Sequence, residues 1–206
     1  MKKLALTDFA KYRYPSALEL SPDGRYLTFA LKEVDREGDG YRWNLWLYDL
    51  ESRESRQITR GDDQRQAVWE DNTHILYKTT ELDEAMRARG FEEEWTVYHR
   101  LNVCTGEERE AFRLPMSVSG LWKMDEGHYV FTGETHLDRP NLLELTGEAL
   151  EKELVRRQQT KGYKVLTELP LCENGVGMFN QTRITLFLYL EATGEYRRIT
   201  PEDYDV

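Results

Sequence analysis

The stretch 45–59 reads LWLYDLESRESRQIT, and it returns near the end of the chain as 186–200, LFLYLEATGEYRRIT. The two segments align without gaps and are identical at seven of fifteen positions. A weaker copy, VYHRLNVCTGE, lies between them at 97–107. Each copy consists of an apolar, β-favouring run followed by turn residues, a pattern that predicts a strand entering a hairpin.

A second motif precedes each copy. It reads LSPDGRYLTF at 20–29, WEDNTHILY at 69–77 and WKMDEGHYVF at 122–131. We predict that its aspartates, Asp23, Asp71 and Asp125, are turn residues, because Asp side chains accept hydrogen bonds from their own backbone in such turns. They lie 48 and 54 residues apart. A period of about 50 residues with two strand pairs per period is typical of propeller blades.

We therefore predict an all-β fold, a partial β-propeller of about three four-stranded antiparallel blades with short helical insertions. The single domain, 1–206, divides into blade 1 at about 14–61, blade 2 at about 62–115 and blade 3 at about 116–201, with a helical insertion at about 146–160. Closed propellers have about four to eight blades. We expect the sequence to be a fragment of a longer protein; assembly with copies of itself or with a partner is the alternative.

Two finer features of this fold also follow from the pattern. The charged, glycine-bearing segment 34–40 predicts a loop in the first blade. Trp46, Trp69 and Trp122 recur at equivalent positions of the repeat, and we expect all three to be core residues between blades.

Composition limits the function classes. Aromatic residues make up 12% of the 206 residues, which favours a folded domain with a substantial core. The net charge of −10 argues against binding to nucleic acid, which requires a basic face. Cys104 and Cys172 are the only cysteines, which favours a reducing compartment and a cytoplasmic location. No run approaches the ~18 apolar residues of a membrane span, and none is predicted.

The sequence lacks the usual catalytic motifs. It contains no Gly-x-Ser-x-Gly elbow, the site of the nucleophile in α/β-hydrolases. The cysteine and histidine spacing matches no zinc pattern, and we expect no metal and no cofactor. We expect the histidines to lie on blade surfaces or in packing. By itself this chain is predicted to have no catalytic residues and no enzymatic activity.

The ordered motifs resemble a known family. The segment SPDGRYLTF, 21–29, resembles the repeat of TolB-type propellers. The opening helix, this turn, the LWLYDL strand, the QIT close and the segment EEWT at 93–96 follow one another as in the amino-terminal part of prolyl oligopeptidase family serine peptidases, especially the bacterial acylaminoacyl-peptidase-like members. The resemblance covers essentially the whole chain. It implies a propeller that gates the access of short peptides to an α/β-hydrolase domain absent from this chain.

One acidic cluster is a candidate binding site. Glu92, Glu93 and Glu94 follow a predicted short helix at 82–89 that Gly90 would cap. Clustered carboxylates favour a nearby ammonium group. In dipeptidyl-peptidase relatives of the resembled family a glutamate pair holds the amino group of the substrate, which implies this role for Glu93 and Glu94. A solvated acidic loop is the alternative.

The expected partners follow from the same resemblance. They are the α/β-hydrolase catalytic domain and the remaining blades of the same protein, together with short peptides. Open blade edges also predict self-association of the isolated chain. A function of another class stays open at this point, in which the chain is a stand-alone TolB-like scaffold for protein–protein interaction.

Overall fold

The computed structural model describes residues 5, 7–35, 37–38, 40–161, 171–173, 177–179, 181–201, 204 and 206. The apolar pattern of the segment 165–171 predicts a strand, and of this segment only residue 171 is described. The segment 172–177, whose glycines predict a connection to the next strand, is also described only in part.

The first sheet contains four antiparallel strands in chain order. They are β1 (Tyr14–Leu20), β2 (Tyr26–Asp35), β3 (Gly40–Asp49) and β4 (Glu54–Gln57). A 3₁₀ helix, Asp8–Lys11, precedes them. The opening helix that the sequence predicts is therefore a single short turn.

The second sheet repeats this plan with β5 (Ala67–Trp69), β6 (His74–Glu81), β7 (Trp95–Asn102) and β8 (Glu108–Leu114). Helix α1 (Glu84–Arg89) lies between β6 and β7. Asp83 caps its amino end, since the Asp83 side chain accepts from the backbone N–H of Met86 at 2.7 Å. Gly90 ends it with φ of 94°, as predicted for a glycine cap.

The third sheet has the order β14-β13-β10-β9 and carries the insertion. Its strands are β9 (Val118–Asp125), β10 (His128–His136), β13 (Thr182–Leu190) and β14 (Glu195–Arg198). Between β10 and β13 lie a 3₁₀ helix (Leu142–Glu144), α2 (Gly147–Thr160) and a two-stranded sheet of β11 (Leu171–Glu173) and β12 (Gly177–Phe179). Among the described residues, no helix is long and apolar enough to cross a membrane.

The sequence repeat is a repeat of hydrogen-bond register. Trp46 is paired with Gln57, and their equivalents Phe187 and Arg198 are paired in the same way. The closing threonines also act alike. The backbone N–H of Leu45 donates to Thr59 Oγ1 at 2.8 Å, and that of Leu186 donates to Thr200 Oγ1 at 3.3 Å. The identities at 45–59 and 186–200 therefore encode one strand pair twice.

The Ser-Pro-Asp-Gly turn has the predicted structure. Ser21 Oγ donates to Asp23 Oδ1 at 2.6 Å, and the backbone N–H of Arg25 donates to the same oxygen at 3.1 Å. Gly24 has φ of 74°, a conformation that glycine adopts without steric cost. The turn therefore closes through its own side chains.

The equivalent aspartate of the second sheet closes its turn in the same manner. The backbone N–H groups of Thr73 and His74 both donate to Asp71 Oδ1 at 2.7 Å. Partial desolvation alone would raise the pKa of Asp71, but these hydrogen bonds outweigh it and lower the pKa to about 2. Asp125 contacts the imidazole of His128 in the third sheet. Asp23 and Asp71 are therefore turn residues, as predicted, whereas Asp125 is the last residue of β9.

The loop predicted at 34–40 is shorter in the structure, because β2 extends to Asp35 and β3 begins at Gly40. Val34 is paired with Tyr41 in this ladder. The Lys32 ammonium lies 3.7 Å from the centre of the Tyr41 ring, and the Arg65 guanidinium lies 4.1 Å from that of Trp43. Cross-strand and cation–π contacts of this kind stabilise a two-stranded extension despite its charged residues.

The chain divides into two compact units, Met1–Thr79 with Val97–Phe112 and Thr80–Thr96 with Arg113–Val206. The first unit has a core of apolar side chains centred on Ala30, Leu45, Ile75 and Val103, all at most 1% exposed. In the second unit Phe131 is fully buried and stacks on Phe187, with ring centres 5.0 Å apart.

The tryptophan prediction holds for one position and fails for another. Trp69 is buried, and its Nε1 donates to the carbonyl of Glu19 at 3.1 Å. Trp122 is 50% exposed. It lies on β9, at the edge of its sheet, and a Cβ atom at Gly120 would be 2.5 Å from Cη2 of its indole. Trp122 therefore covers the edge of the sheet next to Gly120 and is not a core residue.

We predict that Phe131→Ala lowers the free energy of unfolding by about 3–5 kcal/mol, because it leaves a cavity beside Phe187 that the sheet cannot fill. Urea denaturation followed by tryptophan fluorescence measures this change. Met124→Ala is the control, since Met124 is 64% exposed on the same sheet and should change stability by less than about 0.5 kcal/mol. Equal losses in the two variants would contradict the assignment of Phe131 to the core.

Candidate functional site

The second unit contains a cavity of about 430 Å³. Its walls come from the segment before β7, the residues that enter β9, the end of β10, the 3₁₀ segment and β14. Met116 contributes to the wall. A Cβ atom at Gly133 would lie only 2.5 Å from the Sδ of Met116, which is too close for a real contact. Substitution of Gly133 would therefore displace part of the wall.

Carboxylates outnumber cationic groups in the lining of this cavity. Two guanidinium groups, of Arg139 and Arg198, face a larger set of glutamates. That set consists of Glu92, Glu93, Glu94, Glu134 and Glu144. Such an excess of carboxylates favours a bound group that carries positive charge.

Glu93 is compensated by a buried arginine. Nη1 of Arg157 lies 2.8 Å from Glu93 Oε1, and the two side chains are only 11% and 9% exposed. The same guanidinium donates to Glu153 Oε1 at 3.1 Å and to the carbonyl of Pro140 at 2.6 Å. Arg157 therefore connects α2, the acidic segment and the stretch before the 3₁₀ helix.

Glu153 completes this charge network on α2. Arg156 donates to both of its carboxylate oxygens, at 2.7 and 2.6 Å. The hydrogen bonds from Arg156 and Arg157 hold the pKa of Glu153 below its ordinary value, although burial opposes them. The carboxylate of Glu153 therefore stays charged. Its hydrogen bonds to Arg156 and Arg157, together with the ion pair between Arg157 and Glu93, hold α2 next to the cavity.

The two other glutamates of the acidic segment differ from Glu93. Glu92 is exposed and forms an ion pair with Arg139, with Nη1 and Oε2 2.9 Å apart. Glu94 makes no hydrogen bond or ion pair within the described part of the chain. The structure thus brings both predicted residues, Glu93 and Glu94, to one cavity, but only the carboxylate of Glu94 lacks a protein partner there.

A neutral histidine lies at the end of β10. Nη2 of Arg139 donates to Nε2 of His136 at 3.3 Å, and Thr182 Oγ1 lies 3.3 Å from Nδ1. A guanidinium can only donate, so Nε2 accepts and the imidazole proton is on Nδ1. His136 therefore presents a neutral ring in this arrangement.

The charged groups around His136 have opposite effects on its pKa. Desolvation and the Arg139 guanidinium lower the pKa of His136 below its ordinary value of 6.5. The carboxylates of Glu134, Asp138 and Glu93 raise it, by smaller amounts. The net effect is a lowered pKa, so the neutral form is favoured at pH 7.

The strand β14 forms a rigid wall of the cavity. The ring of Tyr196 packs edge-on against Phe187 and Phe131, with centres 5.7 and 6.2 Å apart. Its hydroxyl donates to Glu144 Oε1. Burial and this hydrogen bond raise the pKa of Tyr196. Arg198 lies two residues further along β14, on the same face of the strand.

Sequence reasoning missed most of this site. It identified the acidic segment but none of the arginines, His136 or Tyr196. One signal was present, because Arg198 aligns with Gln57 in the two copies of the repeat. A charged residue at a position where the other copy has a neutral amide indicates a local role. Arg157 carried no such signal, since it occurs in a helix with many charges.

Comparisons with known proteins bear on the fold. No protein-family model matches the sequence, and no curated protein matches it significantly. Among solved structures, the acylaminoacyl peptidase of Pyrococcus horikoshii matches 93% of this chain at 12% identity with a TM-score of 0.61. An acylaminoacyl peptidase in complex with Z-Gly-Gly-Phe-chloromethyl ketone matches 93% at 11% identity, also with 0.61. The AtxE2 isopeptidase matches 89% at 15% identity with 0.52.

The chain spans only 25%, 26% and 28% of the lengths of these three structures. At such low identity the likeness shows the fold and not the activity. The predicted fold class is confirmed, and the chain is a partial β-propeller of about three four-stranded antiparallel blades.

We predict that Arg139→Gln raises the pKa of His136 toward its ordinary value, because the nearest repelling charge is lost while desolvation remains. A pH titration of the histidine ring signals by NMR measures this pKa. Arg197→Gln is the control, since Arg197 is exposed and does not line the cavity. An unchanged His136 titration in Arg139→Gln would contradict the role of Arg139.

The sign of the stability effect follows from the same pKa. A histidine whose pKa is lowered by folding stabilises the fold fully above its ordinary pKa of 6.5, and this contribution falls as the pH drops below that value. The loss between pH 7 and pH 5 should therefore be smaller in Arg139→Gln than in the parent chain.

Proposed function

We propose that this chain is a non-catalytic propeller segment of a prolyl oligopeptidase family serine peptidase. In this role it gates the access of short peptides to an α/β-hydrolase domain. The observation that carries the proposal is the likeness to the Pyrococcus horikoshii acylaminoacyl peptidase along 93% of this chain. The ordered motifs, from SPDG at 21–24 to EEWT at 93–96, point to the same family.

The acidic cavity supports a role in handling peptides. In this proposal Glu94 binds the amino group of the peptide, because its carboxylate has no protein partner in the described residues. Glu93 acts beside it as a positioning residue, since the ion pair with Arg157 fixes its side chain and compensates its charge. An ammonium group entering the cavity then meets, at Glu94, a carboxylate that no arginine of the described residues compensates.

The partners in this proposal are the catalytic domain and the remaining blades of the same protein. Strand β1 is at the edge of its sheet and exposes three large apolar side chains. Tyr14, Leu18 and Leu20 are 51%, 59% and 55% exposed. Further blades would cover this edge, and without them it favours self-association. We also propose a cytoplasmic location, on the basis of the two cysteines.

The first test concerns the native polypeptide. An antibody against this segment captures it from source cells, and a fluorophosphonate probe then labels active serine hydrolases. We expect a labelled polypeptide of about 70–80 kDa, several times the size of one domain. Recombinant 1–206 should stay unlabelled, because its sequence has no nucleophile elbow. A captured polypeptide that the probe does not label would contradict the proposal.

The second test concerns the amino group. Binding of Ala-Ala and of N-acetyl-Ala-Ala to 1–206 is measured by calorimetry or NMR titration. We expect Glu94→Gln to weaken Ala-Ala about tenfold, the effect of losing one charged hydrogen bond, and to leave the acetylated peptide unchanged. Glu148→Gln, an exposed residue of α2 outside the cavity, is the control. Equal weakening of both peptides would argue against Glu94 as the amine ligand.

A further inference from the structure

The guanidinium of Arg198 has a buried nitrogen without a partner. Its Nη1 is inaccessible to solvent and makes no hydrogen bond in the described part of the chain. Arg198 also forms no ion pair with the described carboxylates. A buried charged donor is costly when it is left unsatisfied. The position therefore favours an acceptor that the described protein does not supply.

The acceptor would have to enter the cavity that Arg198 lines. The strand around Arg198 is fixed, since its ladder partner Phe187 is buried against Phe131. Glu144, which also lines the cavity, accepts from the Tyr196 hydroxyl and not from Arg198. The strand that carries Arg198 is thus fixed, and among the described residues its guanidinium has no carboxylate partner.

The chemistry of guanidinium selects the acceptor. Its planar array of N–H donors matches the two oxygens of a carboxylate. A simple anion would be repelled by the glutamates of the lining, whereas a ligand with an additional positive group would not. Arg198 and Glu94 are a cation and an anion that line the same cavity, and neither side chain forms an ion pair among the described residues.

We propose that this cavity binds a zwitterionic short peptide, with its terminal carboxylate on Arg198 and its ammonium group facing Glu94. The inference rests on the proposed function for the choice of peptides as ligands. A volume of about 430 Å³ is within the range of small-molecule sites and accommodates a dipeptide or tripeptide. The site then recognises peptides by a free carboxyl end as well as by a free amino end.

The experiment measures binding of Ala-Ala, Ala-Ala amide and acetate to 1–206 by calorimetry or NMR titration. We expect Ala-Ala to bind about tenfold or more tightly than its amide, because only the acid can pair with the guanidinium. Arg198→Gln should weaken Ala-Ala to the level of the amide and leave the amide unchanged. Arg198→Lys, which keeps the charge but not the planar fork, should retain part of the preference.

Arg197→Gln is the matched control, because it removes the same charge from the neighbouring, exposed position of β14. It should bind Ala-Ala like the parent chain. Thermal denaturation of each variant establishes that it is folded, and Arg198→Lys keeps the test decisive if Arg198→Gln does not fold.

Three results would overturn the inference. They are equal affinities for Ala-Ala and its amide, equal weakening of both by Arg198→Gln, and acetate binding as tight as Ala-Ala. The fluorophosphonate labelling of the native polypeptide tests the proposed peptidase role independently of these binding measurements. Labelling without a carboxylate preference removes only this inference, whereas a carboxylate preference without labelling removes only the peptidase role.

Discussion

The ladder between β10 and β13 is the constraint on which the second unit depends. It pairs the strands from His128 and Leu190 to His136 and Thr182 without a break in register. Phe131 and Phe187 stack across it in the core. Because this ladder joins strands separated by a long excursion, it offsets the entropy lost on closing that loop.

The same ladder sets the position of the cavity. His136 lies at the end of β10, where the chain leaves the sheet, and Arg139 follows directly. Farther along the excursion, Arg157 of α2 contacts Glu93 and the carbonyl of Pro140. Removing one partner of a buried ion pair is strongly destabilising, so this contact holds the excursion against the acidic segment. The cavity wall is thus built by charge pairing as much as by apolar packing.

Charge compensation separates residues that look alike in sequence. Glu92, Glu93 and Glu94 are consecutive, yet two of them have arginine partners in the described structure. The third has none there, and on β14 the Nη1 atom of Arg198 also lacks one. Glu94 and Arg198 can be identified as candidate ligand-binding groups only because the structure shows which neighbouring charges are already paired. The fold thus determines which charged groups of the cavity are available to a ligand.

The sequence by itself determined the repeated strand pairs, the aspartate turns, the glycine cap of α1 and a helix near 146–160, since each depends on neighbouring residues or on a period of two. It made the loop at 34–40 too long, since cross-strand contacts extend β2 to Asp35 and start β3 at Gly40. It failed at Trp122, where an edge position overrides the repeat. Only the tertiary structure brought Arg157 into contact with Glu93 and placed Arg198 in the wall of the same cavity as Glu94. Both placements depend on the long-range β10–β13 ladder, which leaves no local pattern in the chain.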